Sequence, residues 1–184
     1  MIYSLIHRYR GRSGLLLVFG FLLVCRIETA VANEEECSDP QATIVDYGIY
    51  EPNQGSKVDS EGVLLGYNTV VYSKKLVSRV TEVPGKLGLN FGFRYSLKCK
   101  DLNVGTVPVT IKVIHPEMKN PDTQKKSTES SWTDGAWTTD INLHSGWNFD
   151  ESWEIVLGDW KIQVILNDQV LVEQGFKIVE NKHE

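Results

Sequence analysis

The sequence predicts an all-β fold: an Ig-like antiparallel β-sandwich of about eight strands, with a small closed β-barrel as the alternative, behind a cleavable signal peptide. Three observations carry this expectation. Runs with apolar residues at every second position recur between Thr43 and Ile178, and no stretch there keeps the 3.6-residue period of an amphipathic helix. Gly, Pro and Asn-Asp pairs separate the alternating runs. The first 32 residues read as a basic segment, an apolar run and a small-x-small site.

The leader comes first. His7, Arg8, Arg10 and Arg12 precede the unbroken run Gly14 to Cys25, and Ala30-Val31-Ala32 supplies the cleavage pattern. The run is shorter than the roughly 20 residues a bilayer span needs, so removal is expected and no membrane span remains after cleavage. Residues 1–32 are then the signal peptide, 33–42 a flexible acidic lead-in, 43–180 one domain and 181–184 a tail. Losing four arginines and Glu28 leaves 15 basic and 23 acidic residues, a net charge of −8. Such a surface repels phosphate backbones, and no basic run offsets it, which excludes nucleic acid as a partner. Cys25 leaves with the leader. Cys37 and Cys99 remain as an even pair in an oxidising compartment, where a disulfide is expected. The localisation this implies is periplasmic or secreted.

The strands follow in order. Val45, Tyr47 and Ile49 alternate with Asp46, Gly48 and Tyr50. The clearest run is 87–98, where Leu87, Leu89, Phe91, Phe93, Tyr95 and Leu97 share one face, framed by the Pro84-Gly85 turn and the loop from Asp101 to Gly105. The stretches 64–73 and 75–83 are apolar but ambiguous in register. Val107, Val109, Ile111 and Val113 form the next face. Trp137, Thr139, Ile141 and Leu143 form another, and Trp153, Ile155 and Leu157 a shorter one. Trp160, Ile162, Val164 and Leu166 lead through the tight turn Asn167-Asp168 into a last strand over 170–179, with Phe176 and Ile178 on one face. Residues 116–131 are polar and Pro-punctuated, and are expected to form a mobile loop.

Four segments resemble a bacterial family known only as a domain of unknown function: VDYGIYE (45–51), VPGKLGLNFGFRYSL (83–97), VTIKVIHPEM (109–118) and SWEIVLGDWKIQVILNDQVLVEQGFKIV (152–179). The most specific parts are the YGIY strand, the P-G-x-x-G-x-x-F-G segment, the His-Pro pair and the W-E-x-x-x-G-x-W stretch. The resemblance spans about 43–179. It implies a single exported domain of Ig-like sandwich size and brings no catalytic or binding residue with it.

Candidate chemistry concentrates in 132–160. Exposed indoles stack on sugar rings and flat apolar groups, and Trp132, Trp137 and Trp147 lie near loop-like sequence, so they are the candidate ligand platform. Trp153 and Trp160 sit in phase with Ile and Val neighbours and read as core. Asp134, Asp140, Asp150, Glu151, Glu154 and Asp159 permit a glycosidase pair on paper, yet in so acidic a chain solvated turns and caps account for them. His115 and His144 have no zinc-ligand spacing around them, and His115, in the inward register before Pro116, reads as structural. No G-x-S-x-G elbow occurs. The glycines at 85, 88 and 92 lack the Lys-Ser/Thr and following helix of a phosphate loop. The sequence therefore assigns no catalytic residue, metal ligand or cofactor. It points to a non-enzymatic binding module for a protein or glycan ligand of the cell envelope, the alternative being a small secreted hydrolase acting on glycans through 132–160.

Overall fold

The structure is a computed structural model that describes residues 37–51, 56–70, 75–100, 105–138 and 142–182. The leader, its cleavage site, Thr139, Asp140, Ile141 and the last two residues of the tail lie outside the described residues.

Eleven strands are present among the described residues: β1 Gln41–Tyr50, β2 Ser56–Asp59, β3 Tyr67–Val70, β4 Leu76–Ser78, β5 Glu82–Pro84, β6 Asn90–Lys98, β7 Thr106–Lys119, β8 Lys126–Trp137, β9 Leu143–Asn148, β10 Gly158–Leu166 and β11 Gln169–Val179. They form a four-stranded sheet β4-β1-β6-β9, a five-stranded sheet β5-β11-β10-β7-β8 and a separate β2-β3 hairpin. Among the described residues the ladders do not close on each other, so the arrangement is two sheets and not a closed barrel. All pairs are antiparallel except β5 on β11.

The inner faces follow from period-two burial. Phe91, Phe93, Tyr95 and Leu97 of β6 face Val107, Val109, Ile111 and Val113 of β7 and Trp160, Ile162 and Val164 of β10 across one core. Each such side chain contributes on the order of 2 kcal/mol of burial. Rings from both sheets meet at its centre. Phe91 lies 5.4 Å from Phe149, 5.7 Å from Trp160 and 5.2 Å from Phe176, centroid to centroid. Asn167 and Asp168 both take positive φ, 50° and 61°, the backbone of a two-residue hairpin turn. Gly92 is a steric requirement: a Cβ there would stand 2.2 Å from the Ser145 carbonyl. Cys37 and Cys99 are disulfide-bonded, tying the lead-in to the end of β6.

Several sequence expectations need correction. Residues 116–131 are no loop. β7 and β8 run through them and leave only a tight turn at 120–125. These strands were hidden because their outer face is polar and ion-paired: Lys126 with Glu117 at 2.6 Å and Lys112 with Glu129 at 2.7 Å. In β1 the register shifts between Ile44 and Asp46. Val45 is left largely exposed, while Asp46 and Tyr50 on the opposite face are buried. Strand β6 starts at Asn90, not at 87, because Gly88 turns the chain at φ +77° and leaves Leu87 outside. Trp153 to Leu157 is a 3-10 turn (Ser152–Glu154) and its exit, closed by reciprocal bonds between Glu151 and Glu154. Trp137 ends β8 and Leu143 opens β9, so they do not share one strand. Strand β1 begins at Gln41, inside the expected lead-in.

Candidate functional site

The tryptophan segment crosses from one sheet to the other, and the pairing register decides which rings see solvent. In β8, Trp132 pairs with Ile111 and Ala136 with Val107, so even-numbered residues face the core side and Thr133, Gly135 and Trp137 the outside. Trp137 is accordingly 53% exposed. Trp132 stands half-buried at the margin of the sandwich. In β9, Trp147 pairs with Phe91 and Ser145 with Phe93, which turns both inward.

Trp147 is therefore only 5% exposed. Its ring centroid lies 5.8 Å from that of Trp160, 6.1 Å from His115 and 6.3 Å from Trp132. Among the described residues its indole N–H has no hydrogen-bond partner. Of the three candidate platform rings, β8 exposes about half of Trp137 and less of Trp132; the third belongs to the interior. Trp160 is sealed in the core, its Nε1–H donating to the Val156 carbonyl at 2.9 Å. Trp153 is half-buried against the core from the 3-10 turn.

The polar residues do not assemble into a reacting centre. His115 is buried, and its Nδ1 lies 2.8 Å from the Pro116 carbonyl, an acceptor only, so Nδ1 carries the hydrogen. Its Nε2 stands 3.5 Å from Ser130 Oγ. Burial lowers the imidazole pKa and keeps it neutral. A serine–histidine contact thus exists, but a carbonyl occupies the place of an orienting acid and both groups are sealed from substrate. His144 packs edge-on against Tyr50 at 4.8 Å on the outer face of the four-stranded sheet.

The carboxylates are dispersed. Glu154 is fully buried; one oxygen accepts from the N–H groups of Asp150 and Glu151, both at 2.8 Å, and the other has no partner among the described residues. Burial outweighs those bonds and raises its pKa to about 7. Asp134 accepts from the Gly135 N–H at 2.8 Å, at the edge of β8. Asp159, the second residue of β10, stands opposite Lys177. Asp46 is held by Arg94, whose Nε donates to its two oxygens at 2.9 and 3.1 Å, and by the Tyr50 hydroxyl at 2.6 Å. The Arg94 hydrogen bond outweighs burial and lowers the Asp46 pKa. Among the described residues, no three His, Cys, Asp or Glu side chains are placed to hold a metal ion.

The family model described as "Domain of unknown function (DUF3859)" matches residues 38–178. The chain belongs to the DUF3859 family. No curated protein matches it. The DUF3859 fold is similar to the crystal structure of an immunoglobulin-like protein from Pseudomonas aeruginosa, at 23% identity and a TM-score of 0.56, over 78% of this chain and 98% of that one. That likeness extends to the fold alone.

Two features of this DUF3859 chain escaped the sequence reading. The burial of Trp147 was signalled by Leu143, Ser145, Trp147 and Phe149 at alternate positions, obscured by the polar residues between them. The sealed Glu154 was signalled by the Glu-x-x-Glu spacing of a capping box at 151–154.

Proposed function

We propose that this DUF3859 chain works after export as a non-catalytic binding module of the cell envelope, taking a protein or glycan ligand on strand β8. The observation that carries this reading is Trp137. It is a large indole held half in solvent at the end of a regular strand, with Trp132 five residues earlier, on the strand's other face at the sandwich margin. Solvent-facing indoles on rigid strands give contact area at little entropic cost. The Cys37–Cys99 disulfide favours an oxidising compartment, in keeping with the leader. Among the described residues no helix is long and apolar enough to cross a membrane. The dispersed carboxylates and the sealed Ser130–His115 contact give the hydrolase alternative no support.

Affinity capture from an envelope extract, run in parallel with wild-type protein and Trp137→Ala, tests the reading. A ligand held by the wild type and lost by a variant that melts like the wild type is expected. Equal capture by both would remove β8 as the contact surface.

A further inference from the structure

Among the described residues β8 is the outermost strand of its sheet and is bonded in a ladder to β7 alone. Its Ser131 N–H points away from β7 and donates to the Gly62 carbonyl at 2.9 Å, whereas Thr138 N–H turns back to Gly105 at 3.0 Å. Alternation therefore aims the main-chain groups of Thr133, Gly135 and Trp137 outward. Edge strands are ordinarily guarded by shortness, Pro, Lys or a bulge. The far margins of the two sheets follow that rule: β4 and β5 have three residues each, and β5 ends on Pro84. Residues 132–137 (WTDGAW) contain neither Lys nor Pro and pair with β7 in unbroken register. Among the described residues their one guard is Asp134, whose carboxylate holds the Gly135 N–H.

We infer that this edge pairs with β8 of a second copy of the chain, antiparallel, about a two-fold axis through Gly135. The sequence is self-complementary in that register. Gly135 meets Gly135, and Thr133 meets the partner's Trp137 on the outer face, twice by symmetry, an aromatic against a β-branched side chain. On the core-facing side Asp134 meets the partner's Ala136, so the two acids are not directly opposed. Pairing frees Gly135 N–H from Asp134, so the association is weak and reversible. The dimer goes beyond the ligand-binding reading, and although both use Trp137, its test is run on the purified protein with no ligand present and does not depend on that reading.

Sedimentation equilibrium of the purified protein up to submillimolar concentration tests it. A concentration-dependent monomer–dimer equilibrium is expected. Thr133→Pro, which removes an outward N–H from an edge strand, abolishes it; Asp134→Ala, which releases Gly135 N–H, tightens it about tenfold. Trp137→Ala weakens it and serves as the deciding variant if the proline variant fails to fold. A wild-type monomer at every concentration overturns the inference, as does a dimer that Trp137→Ala leaves unchanged or one that a folded Thr133→Pro retains.

Discussion

Glu154 gives the sharpest perturbation. Its carboxyl is fully buried, with one oxygen bonded to two main-chain N–H groups and the other without a partner among the described residues. Burial, aided by the nearby charges of Asp150 and Glu151, lifts its pKa from the ordinary 4.5 to about 7. A value raised in the folded state means that the native protein holds this proton more tightly than the unfolded chain does. The associated stability is complete below about pH 4.5 and is lost as pH rises through about 7. At about 1.4 kcal/mol per pH unit the loss is on the order of 3 kcal/mol. Glu154→Gln keeps an oxygen for the two N–H groups and cannot ionise. Urea unfolding of both proteins at pH 5 and pH 8 is the assay. His115, neutral and buried, acts in the opposite sense by favouring the higher pH, but it is present in both proteins and cancels in the difference. The wild type is expected to lose on the order of 3 kcal/mol more than the variant between the two pH values. Parallel pH dependences would refute the sealed, uncompensated carboxylate.

Three further outcomes follow from the packing. Cys37→Ser opens a loop of 62 residues and is expected to cost about 4 kcal/mol, read as a lower urea midpoint that reductant does not change further. Trp147→Ala empties a core position and costs about 3 to 5 kcal/mol, whereas Trp137→Ala changes thermal stability by less than about 0.5 kcal/mol; calorimetry of the pair separates interior from surface. Arg94→Ala leaves the buried Asp46 carboxylate unpaired and costs about 2 to 3 kcal/mol, the lower end for a broken pair because Arg94 is partly exposed. Because Arg94 holds the Asp46 pKa down, the stability it supplies is present above pH 3.8 and fades as pH falls below it; acid titration of the variant should lack that loss.

The sequence was most legible where one face of a strand is wholly apolar. β6 and β10 carry Phe, Tyr, Trp, Ile and Val at alternate positions and bury them, and Asn167-Asp168 marks its turn by residue type. Legibility failed where burial and polarity part company. The outer faces of β7 and β8 are paired ions, so their distal halves read as loop. In β1 a register shift at Val45 breaks the alternation, and on its outer face Asp46 is buried in its pairing with Arg94 and Tyr50 under its bond to Asp46 and its contact with His144. Trp137 and Trp147 both follow small residues, in GAW and SGW, and only the ladder partners separate them: Thr106 on an outer face for one, Phe91 in the core for the other.

Hydroxyl-radical footprinting of the native protein, read residue by residue by mass spectrometry, addresses most directly whether β8 offers an indole to ligands above a closed interior. Strong labelling of Trp137, weaker labelling of Trp132 and protection of Trp147 and Trp160 are expected. Equal labelling of Trp137 and Trp147 would contradict the arrangement on which the proposed binding surface rests.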